Sequence, residues 1–177
     1  MSVEEHEEMA DQDRGDAPIV AAVITISDTR TPETDLSGDA IALHLTEAGN
    51  VVTHRDLVPD DGPRIQEAMA SALAIKEVQV LLLTGGTGLA TRDGTVEQLR
   101  AWNGIEVDGF GELFRSISFQ EIGAASLLSR ATARIILLED GRRIAAFAMP
   151  GSPNAVETAM TRLVIPVLKH LVWETSR

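Results

Sequence analysis

The chain has no cysteine and no tyrosine, and only Lys76 and Lys169 of its 177 residues are lysines. Without cysteine there are no disulfides and no thiolate metal sites, and His6, His44, His54 and His170 are scattered without a ligand spacing. A transition-metal centre is therefore not expected. No apolar run approaches the roughly 20 residues that span a bilayer. The acidic start lacks the basic-then-apolar order of a secretory signal, so a cytoplasmic protein is expected. Positive charge is scarce: 27 acidic against 15 basic residues give a net charge of −12, which opposes contact with nucleic-acid backbones or anionic membranes. Residues 1–16 concentrate Glu4, Glu5, Glu7, Glu8, Asp11, Asp13 and Asp16 against a single Arg14. This segment reads as a disordered, solvating extension, with recruitment of a partner protein as the more specific alternative. Residues 17–177 are long enough for one sizeable core and too short for two, so one domain is expected there.

Residues 18–27, β-branched and nearly free of polar side chains, have the pattern of a strand covered on both faces. Ser37 then offers a helix cap ahead of Ile41, Leu45 and Ala48, with Gly49-Asn50 as a stop. Residues 51–58 read as a second strand. Gly62-Pro63 opens a helix with Ile65, Ala68, Met69, Ala72 and Leu73 inward, and residues 78–84 form a third strand. This alternation predicts right-handed βαβ units and a parallel sheet with helices on both faces. Further on, residues 109–130 look mainly helical, and Phe110, Phe114 and Phe119 lie near helical spacing, as core residues would. Two apolar runs flank Asp140-Gly141, the mark of a hairpin, so the sheet should be mixed. Pro150-Gly151-Ser152-Pro153 leads into a last helix with Val156, Met160, Leu163, Val164 and Val167 inward, which Pro166 should kink.

Chemistry is concentrated where the third strand breaks into Thr84-Gly85-Gly86-Thr87-Gly88. Glycines allow positive φ and close backbone approach, so several N–H groups can point at one anion. The segment lacks the Gly-Lys-Ser/Thr ending of a P-loop and the third glycine of a dinucleotide fingerprint; a tight turn required by geometry alone is the competing reading. Asp93 either caps the helix that follows or binds a cation, and Asp60, after the second strand, either opens a helix or faces the same crevice. Two carboxylates at strand ends suit Mg²⁺ bridging phosphate oxygens. Ser27-Asp28 ends the first strand. If the last strand runs parallel to the third, Pro150–Pro153 reaches the same rim, with Ser152 as an ordinary N-cap before a proline at N1. Arg115 and Arg130 are candidate sources of positive charge. No Gly-x-Ser-x-Gly elbow or nucleophile–base pair stands out.

Taken in order, Ser27-Asp28, Leu57-Val58-Pro59-Asp60, Thr84–Gly88, Arg92-Asp93, Gly109-Phe110-Gly111-Glu112, Phe114-Arg115, Ser129-Arg130 and Pro150–Pro153 resemble the MoaB/MogA family of molybdenum cofactor biosynthesis, on the MoaB side, over residues 18–170. The resemblance implies a three-layer α/β/α fold with a mostly parallel mixed sheet. It further implies Mg-ATP-dependent adenylylation of molybdopterin, giving adenylyl-molybdopterin and pyrophosphate, in trimers or hexamers. Within it, Asp60 and Asp93 match functional aspartates and metal-holding positions. Gly85–Gly88 and Pro150–Pro153 match the pterin phosphate pocket, and Ser27, Asp28, Thr84, Glu112 and Arg115 complete the expected substrate-binding set. A carrier or scaffold that holds molybdopterin without turnover is the second reading of the same residues.

Overall fold

Strand β3 (Val80–Thr84) is buried along its whole length, because side chains alternating across the sheet meet a helical layer on either face. Val80 and Leu82 join one core, with Ala21, Val23, Phe147 and residues of the helices on that side. Leu81 and Leu83 join the other, with Ala22, Ile24 and Ala146. The computed structural model describes residues 17–177; the acidic segment 1–16, read as a solvating extension, lies outside the described residues.

The sheet has six strands in the order β2-β1-β3-β6-β5-β4. Strands β1 (Val20–Ile26), β2 (Val51–Val58), β3 and β6 (Arg143–Met149) are parallel. The parallel orientation of β6 on β3 brings both C-terminal ends to one rim, as required for Pro150–Pro153 to meet the glycine segment. Strand β5 (Thr132–Leu137) runs antiparallel to β6 through the expected Asp140-Gly141 hairpin, where Gly141 has φ 88°. Beyond it lies β4 (Gly104–Glu106), an edge strand of three residues that periodicity does not reveal.

Helices α1 (Leu36–Glu47), α4 (Asp108–Ile122), α5 (Pro153–Ala159) and α6 (Ile165–Thr175) cover one face; α2 (Gly62–Ala74) and α3 (Thr95–Ala101) cover the other. The architecture is the expected three-layer α/β/α sandwich with a mixed sheet. Several local expectations are corrected. Asp35, not Ser37, caps α1: its carboxylate accepts the Gly38 N–H at 2.9 Å while buried against Thr25 and Arg55. The helix expected over 109–130 leaves α geometry at Gly123, whose φ of 61° starts a 3-10 segment to Leu128. Phe110 and Phe114 are buried, Phe110 edge-on to Phe147 at 5.1 Å, but Phe119 is exposed. Ala48 and Val167 also face outward. The effect of Pro166 is felt one turn earlier, as a π turn over Met160–Val164, which relieves the clash of its ring with the carbonyl four residues back.

Candidate phosphate and metal site at the strand ends

Neighbouring strands β1 and β3 send their chains to opposite faces of the sheet, into α1 and α3, and such a switch point opens a crevice at the strand C-termini. The glycine segment lies there. Gly85 has φ 95° and Gly86 φ 59°. A Cβ on Gly85 would sit 2.1 Å from the Ile26 carbonyl oxygen, and one on Gly86 would sit 2.4 Å from Thr95 Oγ1 and 2.8 Å from Asp60 Oδ2. Both turn geometry and close approach therefore require glycine. The Thr95 hydroxyl donates to the Gly85 carbonyl at 2.8 Å, and the Thr95 N–H to that of Gly86 at 3.0 Å, which pins the loop to the start of α3.

One side of this loop borders a cavity of about 340 Å³. Its glycine wall is Gly86, Thr87 and Gly88 facing Pro150, Gly151 and Ser152, and its helical wall includes Phe114, Ser118 and Glu121 from α4. Ser152 caps α5 as expected, accepting the Ala155 N–H at 3.3 Å. Thr84 Oγ1 donates to the Pro150 carbonyl at 3.3 Å. Ser37, read as a cap, instead donates from within α1 to the Gly151 carbonyl at 2.8 Å. Ser37→Ala is expected to cost about 1 kcal/mol of stability, the usual worth of one such bond, detectable as a lower denaturant midpoint at unchanged slope. The same variant should weaken ligand binding at the Gly151 wall.

The carboxylates press on the other side of the loop. Asp93 Oδ2 accepts the Ala90 N–H at 2.7 Å, closing its own turn, while Gly94 is the N-cap of α3. The helix-cap reading of Asp93 is thus corrected. Asp60 serves that helix end instead, accepting the Gly94 N–H at 3.3 Å. Asp28 accepts the Asp60 N–H at 3.0 Å and pairs with Arg92 at 3.3 Å, joining the ends of β1, β2 and β3. Ser27 is engaged locally, accepting the Thr29 and Arg30 N–H groups.

Burial raises the Asp60 carboxyl above its ordinary pKa; the Gly94 N–H opposes this, and Asp93 and Asp28 add to it. The native state then binds protons that the unfolded chain does not, so ionised Asp60 lowers stability as pH rises through its native pKa. Asp60→Asn, which preserves an acceptor for Gly94, is expected to raise the unfolding midpoint of the metal-free protein at neutral pH. That gain should vanish as pH falls below the ordinary carboxylate range, as a series of melts against pH would show.

Arginine plays a different part from the one expected. Arg130 donates from Nε to the Thr87 carbonyl and from Nη2 to the Asp93 carbonyl, both at 3.0 Å, and from Nη1 to Glu97. It clamps the two ends of the 87–93 segment. Arg115 donates to the carbonyls of Ala131 at 3.3 Å and Ser129 at 3.5 Å. Arg115 and Glu112 line a separate cavity of about 350 Å³ rather than the one beside the glycine loop, with Ser129 in the walls of both. A larger cavity, about 580 Å³, lies among Gln66, Leu73, Trp102, Leu138 and Arg142, and none of the residues at the C-termini of the parallel strands lines it. Its Arg142 is spent on the carbonyls of Leu73 and Ile75 at the end of α2, so size does not make it the chemical site.

Among the described residues no group of three or more His, Asp or Glu side chains is placed to hold a metal alone. Asp60 and Asp93 still fit Mg²⁺, which takes hard oxygen donors and is commonly held by one or two carboxylates plus substrate phosphates and water. Among the described residues no helix is long and apolar enough to cross a membrane.

A doubly covered α/β sheet with a glycine loop at its switch point belongs to the class of α/β domains in which ligands gather at the strand C-termini. Residues 22–170 match the family described as "Probable molybdopterin binding domain", and the chain belongs to that family, within its MoaB/MogA group. It is 43% identical to Molybdenum cofactor biosynthesis protein B of Bacillus anthracis, over 100% of this chain and 99% of that one. With the protein of the same name from Halalkalibacterium halodurans it shares 45% identity, over 98% and 97%. A crystal structure of Molybdenum cofactor biosynthesis protein B is similar with TM-score 0.86 and 43% identity, over 92% of this chain and 99% of that one. The tungsten cofactor synthesizing protein MoaB from Pyrococcus furiosus is similar with TM-score 0.82 and 32% identity, over 91% and 99%.

Proposed function

We propose that this protein acts in molybdenum cofactor biosynthesis as a molybdopterin adenylyltransferase, joining molybdopterin to AMP from Mg-ATP and releasing pyrophosphate. The observation that carries the proposal is the position of the glycine loop, with the ligand cavity on one side and Asp60 and Asp93 against the other. In this reading the terminal phosphate of molybdopterin lies on the N–H groups of residues 86–88. One of its oxygens attacks the α-phosphorus of ATP, forming a P–O–P bond as the bond to the β-phosphate oxygen breaks and pyrophosphate leaves. Mg²⁺ bound with the triphosphate supplies charge neutralisation. Asp60 and Asp93 hold that charge beside the loop, Arg130 fixes the spacing of the 87–93 segment, and the cavity walls orient the attacking phosphate.

The donors of Arg130 and Arg115 point to carbonyls and Glu97, so these two guanidinium groups act as braces. Positive charge for a triphosphate would then come from a metal bound by the aspartates and from the exposed Arg92, which pairs with Asp28 beside them. Crystals soaked with Mg-ATP and a pterin phosphate test this. Phosphate on residues 86–88 with metal on Asp60 and Asp93 is expected; nucleotide bound elsewhere would refute it.

The carrier reading is favoured by one observation, that neither Asp60 nor Asp93 lines the cavity. A carrier would bind molybdopterin and form no adenylylated product. The expected trimer or hexamer belongs to the same proposal, as does a cytoplasmic site of action.

A further inference from the structure

Glu121, exposed on α4, lines the same cavity as the glycine wall, and no role was expected of it. Its Oε2 accepts from Asn154 Nδ2 at 3.0 Å and its Oε1 from Thr158 Oγ1 at 3.4 Å. Asn154 and Thr158 are four residues apart on α5 and so share a face of it. Together they hold both oxygens of one carboxylate from the same side. An ionised carboxylate only accepts, with about two acceptor positions per oxygen, so each Oε retains one for a ligand. The cavity lining thus holds two chemically opposite groups. Gly86 and Gly88 offer backbone N–H groups with no Cβ beside them, which suits an anion; the negative charge of Glu121 repels one. Phe114, Ile122 and Leu128 supply apolar wall beside them.

We propose that Glu121 is the specificity-determining residue for the ring half of the ligand, accepting hydrogen bonds from a heteroaromatic edge that carries adjacent N–H donors. The 2-amino and N3–H groups of a pterin form such an edge. The inference rests on the molybdopterin reading above and adds a direction to it: phosphate toward residues 86–88, amino-pyrimidine edge toward Glu121. A ring with a 2-oxo group in place of the 2-amino group would set one acceptor against another, and a site built to hydrogen-bond a donor rejects its replacement.

Isothermal titration of the full chain with pterin-6-ylmethyl phosphate and with its 2-oxo (lumazine) counterpart tests this. The parent protein is expected to prefer the amino compound by about tenfold to a hundredfold, the worth of a hydrogen bond to a charged group. Glu121→Gln is expected to bring the ratio near unity, mainly through weaker binding of the amino compound. Equal affinities in the parent would overturn the inference, as would a ratio that Glu121→Gln leaves intact while both ligands weaken together, the result of a merely structural glutamate. A parent that binds neither compound would instead overturn the molybdopterin reading, and this inference with it.

Discussion

Asp93→Asn is expected to slow adenylyl transfer by about a hundredfold to a thousandfold, the usual cost of removing one well-placed electrostatic group from a transition state. Affinity for a pterin phosphate should change by no more than about twofold, because the lost interaction belongs to the reacting triphosphate rather than to the bound pterin. The substitution is a clean one. Asp93 Oδ2 accepts the Ala90 N–H at 2.7 Å, and the amide oxygen of asparagine can take over that bond, so the turn survives while the charge does not. A Cβ on Gly88 would lie 2.5 Å from Asp93 Oδ2, so glycine at that position lets the loop pass close to the carboxylate. Initial rates of product formation, set beside a fluorescence titration of pterin binding, separate the two effects. An unchanged rate would remove Asp93 from the chemistry, whereas a parent protein with no rate at all would favour the carrier.

Gly85→Ala should have the largest effect on stability, about 3 kcal/mol or more, combining a left-handed backbone with an overlap that cannot relax. At this chain length that corresponds to a fall of about 6–12 °C in melting temperature. The new Cβ would meet the Ile26 carbonyl oxygen at 2.1 Å, and that oxygen belongs to a buried central strand. Gly141 is the control. Its φ of 88° is as far into the left-handed region, yet a Cβ there meets nothing within 4 Å, so Gly141→Ala should cost about 1 kcal/mol, for the conformation alone. Thermal melts of the two variants isolate the steric part. Equal shifts would mean that the loop yields at Ile26, and that the crevice is less rigid than the account requires.

The parts of this structure legible from sequence are those written in patterns. A β-branched run announced β1 and an apolar run announced β3, the spacing of Ile65, Met69 and Leu73 announced α2, and Asp140-Gly141 announced the β5–β6 hairpin. The glycine loop and both aspartates were visible because special backbone geometry and charge at a strand end each leave a residue-level mark. Strand β4 was not, since three residues at a sheet edge have too little periodicity to register. Capping was misread at α1, where Ser37 and Asp35 are both good cap residues and only the fold shows that Asp35 is buried beside Thr25. A cap at Asp93 stood open beside cation binding for the same reason, because proximity in sequence does not reveal that Asp60, from another strand, reaches the Gly94 N–H. Glu121 and the bracing role of Arg130 arise from contacts between residues 33 or more positions apart, and no local signal encodes them.

Transfer of the α-phosphate is the act that separates an adenylyltransferase from a carrier, and it can be followed directly. The purified protein would be incubated with molybdopterin, Mg²⁺ and ATP labelled at the α-phosphorus, and both products quantified. The expected result is label on the pterin, one pyrophosphate released for each adenylyl group transferred, and loss of both when Mg²⁺ is chelated. Folded protein that binds molybdopterin yet transfers no label would contradict it.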